Sequence, residues 1–204
     1  MSEKGKSEIH RMVGLAIMAT MVVALQIFSS YVRFGAFSIS LALVPVVVGA
    51  AIYGKGSGAF LGSVCGIVVL LFCVIGVDIG GNQLYVVNPG MTTLLCILKG
   101  ALAGFAAGLV FKAASKKNIF VGTLCASIAC PVVNTGIFIT AMVLFFHDKL
   151  VEWAANTPIL YFSIVGLAGI NFILELGVGI ALSQAVVRIL KAVRFNGLPS
   201  GDKQ

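Results

Sequence analysis

The stretch Ala42–Val68, "ALVPVVVGAAIYGKGSGAFLGSVCGIV", joins two apolar runs through a glycine-rich turn that carries one cation, Lys55. In the second run Gly58, Gly62 and Gly66 recur every fourth position, which on a helix is a single face. Small residues at that spacing let helix backbones approach closely in lipid, where packing and not water exclusion drives association. The stretch therefore predicts two antiparallel membrane helices with a short turn between them.

The rest of the chain has the same character. Of its 204 residues 59% are hydrophobic and 10% charged, and the mean hydropathy is +1.08, outside the range of soluble domains. A lipid core about 30 Å thick needs roughly 20 helical residues to cross. On that basis six spans are expected, over 12–32, 39–53 (interrupted by Pro45), 57–77, 92–113, 119–146 and 160–190. The first run is too long for a signal-peptide core and has no convincing cleavage site, so it reads as a mature helix. Two polar loops separate spans, "DIGGNQLYVVNPGM" after the third and "HDKLVEWAANTP" after the fifth.

The distribution of cations sets the orientation. Lys4, Lys6, Arg11, Lys55, Lys112, Lys116, Lys117, Arg188, Lys191, Arg194 and Lys203 fall on one side, Arg33 and Lys149 on the other, and Lys99 within a span. Both termini are expected in the cytoplasm, as tails over 1–11 and 194–204 around a membrane domain over 12–193. The same pattern accounts for the net charge of +7 without nucleic acid, since no basic stripe interleaves with aromatics. Cys65, Cys73, Cys96, Cys125 and Cys130 lie in apolar runs without CxxC or ligand-spaced histidine, and read as reduced packing residues with no metal.

A charge at mid-bilayer costs on the order of 2.5–3.5 kcal/mol, which makes an intramembrane ionisable group a functional candidate. Lys99 in the fourth span and Glu175 in the sixth qualify. Asn134 follows Pro131 in the fifth span, and Asn171 precedes Glu175 by one turn on the same face. These four residues fit one cavity in the outer half of the membrane. A private Lys99–Glu175 ion pair, with the asparagines as interhelical glue, fits the same pattern. Asn82, Gln83, Asn88 and Thr92 add hydrogen-bonding groups around the outer end of the fourth span, where Asn88, before Pro89 and Gly90, also suits a turn. Further small-residue ridges occur at Ala16, Thr20 and Ala24 and at Gly100, Gly104 and Gly108. Each suits packing within the bundle or docking of a separate membrane subunit.

Catalytic patterns are scarce. There is no HExxH, GxSxG or Walker A sequence and no acidic metal cluster, so no enzyme activity and no cofactor is implied, and energy must come from a gradient or a partner.

The stretch Ala42–Val68, the later "NPGMTTLLCILKGALAGFAAGLVFK" over Asn88–Lys112, the ridge in the first span and six spans with cytoplasmic termini together resemble the substrate-binding S component of energy-coupling factor (ECF) vitamin transporters. The resemblance covers nearly the whole chain. It implies an all-α membrane protein, one compact six-helix bundle in a prokaryotic plasma membrane, that captures a water-soluble vitamin on the outer face. It further implies partners: a transmembrane coupling subunit and two ATPase subunits. The family's docking motif, two alanines four apart in the first helix, corresponds to Ala16, Thr20 and Ala24, where Thr20 departs from it. Ligand contacts carried over from the family fall on Lys99, Asn134, Asn171 and Glu175. A lysine, a glutamate and several amides suit a cargo such as pantothenate over a flat ring such as riboflavin. The alternatives are a stand-alone secondary carrier with Glu175 as its proton site, for which no inverted repeat is evident, and an intramembrane enzyme using Lys99 and Glu175, for which no nucleophile is evident.

Overall fold

The computed structural model describes residues 3–31, 33–34, 37–38, 40–155 and 157–195. Nine helices order the described residues: α1 (Glu3–Tyr31), α2 (Leu43–Tyr53), α3 (Lys55–Val74), α4 (Ile79–Val87), α5 (Pro89–Ala114), α6 (Ile119–Phe145), α7 (His147–Ala154), α8 (Ile159–Tyr161) and α9 (Ile170–Phe195). A π-helical segment, Phe162–Gly169, joins α8 to α9, and two-residue strands Arg33–Phe34 and Phe37–Ser38 pair antiparallel between α1 and α2. α1 begins at Glu3, so the expected N-terminal tail continues the first helix. The expected C-terminal tail lies, from residue 196, outside the described residues.

α2 is apolar all round and sits at the centre, with Leu43, Pro45, Val46, Val47, Val48, Ala50 and Ile52 buried. Pro45 falls in its first turn, where a missing N–H costs nothing, so it starts this helix and does not interrupt it. At 11 residues α2 is about 16 Å long, shorter than the expected span. Gly54 then reverses the chain with φ 90°, a left-handed value, serving as C-cap of α2 and N-cap of α3 at once.

The tightest contact in the bundle is between the glycine ridges of α3 and α5. A Cβ on Gly58 would run into the carbonyl oxygen of Gly104, one on Gly62 into that of Gly100, and one on Gly66 into that of Cys96. Both ridges are therefore spent on internal packing. The ridge on α1 is not: Ala16, Thr20 and Ala24 are all exposed, and α1 buries only a narrow stripe that includes Val22, Gln26, Ser29 and Ser30.

Both loops expected to be irregular contain helices. In "DIGGNQLYVVNPGM", Asp78 caps α4 by accepting from the Gly81 amide at 3.1 Å. Asn88 caps α5 by accepting from the Met91 amide at 3.1 Å, with Pro89 at the first helical position. In "HDKLVEWAANTP", α7 turns Leu150 and Ala154 inward and ends at Ala155, φ 43°. Leu84 of α4 and Leu150 of α7 meet Leu95, Met142 and Phe146 in a small core that seats both short helices on one end of the bundle. Four described helices are long and apolar enough to cross a membrane: α1 over Glu8–Ser30, α3, α5 and α6. α2 and the Phe172–Ala181 part of α9 are apolar but shorter.

Candidate functional site

Ser127, Pro131, Asn134 and Phe138 are spaced to lie along one face of α6, and the intramembrane charges meet this face at two levels. Nearer the end carrying α4 and α7, the Lys99 ammonium on α5 lies 5.1 Å from the centre of the Phe138 ring, a cation–π distance. Deeper, Glu175 on α9 shares a small cavity with Ser127 and Pro131. Lys99 is within electrostatic reach of Glu175, yet the two form no ion pair. Among the described residues the ion pair is Lys149–Glu152, at 2.6 Å on α7. The Asn171 side chain lies outside the described residues, though its backbone stands one helical turn from Glu175 in α9.

Glu175 is anchored by a partner that sequence reading missed. Its Oε1 accepts from the Ser40 amide at 3.0 Å, across 135 positions of sequence. Ser40 belongs to a polar cluster inside the bundle. Its hydroxyl donates to Gln26 Oε1 at 3.1 Å, the Cys65 thiol donates to the same oxygen at 3.5 Å, and the Leu41 amide donates to the Ser29 hydroxyl at 3.2 Å. The buried amide of Gln26 within the first span was the available sequence signal; Ser40, at the start of the second expected span, gave none.

Neither Lys99 nor Asn134 is among the residues that line the Glu175 cavity, and the other sequence candidates are not brought to it either. The Asn82 side chain donates to the Cys73 carbonyl at 2.8 Å, which ties α4 to the end of α3. Gln83 Oε1 accepts from Trp153 Nε1 at 2.9 Å, which ties α4 to α7. Asn88 caps α5, and Thr92 is buried with its hydroxyl oxygen unpartnered.

Two hollows differ in chemistry. The cavity at Glu175, of about 20 Å³, is bounded by Ser40, Leu41, Ser127, Pro131 and Gly179 and has room for about one water. A groove of about 460 Å³ runs between α5 and α6, lined by Met91, Leu94, Leu98, Val132, Ile137 and Phe145. Several of these side chains are exposed and the lining is apolar, so the groove does not suit a water-soluble molecule. The polar chemistry lies on the Lys99–Asn134–Glu175 side of α6.

No family model matches the chain, and no curated protein matches it. Among solved structures, that of ThiT from Listeria monocytogenes is similar to it, with 21% sequence identity over 90% of this chain and 97% of that one and a TM-score of 0.65. The likeness shows that the two chains share a fold.

Proposed function

We propose that this protein is the S component of an ECF-type ABC importer, a binding subunit and not an enzyme, lodged in a prokaryotic plasma membrane by six spans with both termini in the cytoplasm. The observation that carries the reading is the fold likeness over 90% of the chain. The pattern of cations supports the orientation, with α2 and α9 supplying the two spans beyond the four long apolar helices. The end that carries α4 and α7 then faces outward. A water-soluble vitamin meets Lys99, Asn134 and Asn171 from that side, with Glu175 at the floor, and Asn82, Gln83, Asn88 and Thr92 frame the approach. An ammonium among amides suits a cargo with a carboxylate and several hydrogen-bonding groups, pantothenate before riboflavin.

The exposed ridge Ala16, Thr20 and Ala24 is the docking surface for the transmembrane coupling subunit, which brings two ATPases. Two observations support it: the α1 ridge is open while those of α3 and α5 are consumed, and Thr20 returns its hydroxyl to the Ala16 carbonyl at 3.0 Å, which leaves the surface apolar.

Reconstituted uptake tests this reading. Vesicles holding the protein and its coupling module should take up cargo only with ATP, and vesicles holding the protein alone should not. Uptake by the protein alone, driven by a proton gradient, would instead establish the secondary carrier. Within the site, Lys99→Met should weaken cargo binding at least tenfold in an equilibrium titration, while the melting temperature stays within a few degrees, because Lys99 has no ion pair among the described residues to lose. Unchanged affinity would remove Lys99 from the site.

A further inference from the structure

Glu175 Oε1 takes the Ser40 amide, and Oε2 is buried without a hydrogen-bond partner among the described residues. A polar atom left so in an apolar interior is costly, and buried groups of this kind are normally satisfied. The adjoining cavity supplies the means. Pro131 has no N–H to give the carbonyl four residues earlier, so the Ser127 carbonyl oxygen has no helical donor. That oxygen faces α9 closely enough that a Cβ on Gly179 would lie 3.2 Å from it. A cavity of about 20 Å³ between these groups takes one water, which can donate both to Oε2 and to the freed carbonyl.

Ser40 itself stands where the connection from α1 runs into α2, after the strands Arg33–Phe34 and Phe37–Ser38. Four contacts hold this point among the described residues: Glu175 on its amide, Gln26 and, at 3.9 Å, the Cys65 thiol on its hydroxyl, and Ser29 on the next amide. Gln26 and Ser29 belong to α1 and Cys65 to α3, and Glu175 supplies the hydrogen bond that ties the connection to α9. We propose that Glu175 is a positioning residue whose carboxylate latches the α1–α2 connection, at Ser40, to α9, and that it shapes the floor of the site without itself touching the cargo. Its bearing on capture rests on the function proposed above; the latch does not.

The test is hydrogen exchange of the Ser40 amide, followed by NMR on the full chain in micelles without cargo. Two variants are compared with the parent. In Glu175→Gln the amide oxygen still accepts from Ser40 and the amide nitrogen can donate to the Ser127 carbonyl, so exchange should quicken no more than about threefold. Glu175→Met keeps the length and suits an apolar span but accepts nothing, and exchange should quicken at least tenfold. Equal exchange in parent and Met variant would overturn the latch, as would a Gln variant as fast as the Met variant. Because no cargo is present, the latch and the capture reading fail separately. With cargo added, affinity retained within threefold by Gln and lost at least tenfold by Met would place Glu175 in support of the site, whereas equal loss in both would make its charge a cargo contact.

Discussion

Gly62→Leu should prevent accumulation of folded protein. A Cβ at this position would collide with backbone atoms of Gly100 and Ala101, which have no rotamer to escape into. The helices α3 and α5 would have to separate along their whole contact, since Gly58 and Gly104 above and Gly66 and Cys96 below meet at the same spacing. Overpacking of this kind costs about 3 kcal/mol even where a core can adjust, a large share of typical net stability. In lipid the lost backbone approach is not recovered by hydrophobic burial elsewhere. The matched control is Gly56→Ala, two residues into α3, where a Cβ would meet nothing within 4 Å and a better helix former replaces glycine. Size-exclusion profiles in detergent should show a monodisperse peak for the control and aggregate or no protein for Gly62→Leu. A Gly62→Leu protein that runs and melts like the parent would mean that α3 and α5 do not meet backbone to backbone.

The second large effect concerns the outer surface of α1. Ala24→Trp and Thr20→Trp should leave the isolated protein folded and able to bind cargo, because both positions are exposed and neither packs inside the bundle. ATP-driven uptake with the coupling module should nonetheless fall at least tenfold, since an indole fills the space a partner helix needs. The contrast with Val22 is informative. Val22 lies between these positions in sequence but is fully buried, so Val22→Trp should damage the fold itself. Unchanged uptake in both ridge variants would move the docking surface elsewhere.

The parts of the structure legible in sequence are those whose cause is local. Glycine ridges at fourfold spacing announced close helix packing, although spacing alone could not say which ridge faced inward. That depended on α3 and α5 being neighbours while α1 lies at the edge. The helix α4 was hidden because Asp78, Asn88, Pro89 and the Gly80–Gly81 pair signal a turn and a helix cap equally well, and α7 because its eight residues mix polar and apolar types in a short run. What decides between the two is the apolar seat that Leu84 and Leu150 find on Met142 and Phe146, a tertiary fact. Lys99 and Glu175 were conspicuous as charges in an apolar chain, but their partners were not. The obvious pairing of opposite charges is replaced by an aromatic ring for one and a backbone amide for the other. A partner such as Ser40 leaves no compositional trace, because any residue except proline supplies a backbone N–H.

Whether the protein alone captures a vitamin is decided by native mass spectrometry in mild detergent against a panel of water-soluble vitamins that includes pantothenate and riboflavin. One vitamin should be retained at a ratio of one to one and be lost from the Lys99→Met variant. A well-folded protein that retains no member of the panel would contradict capture.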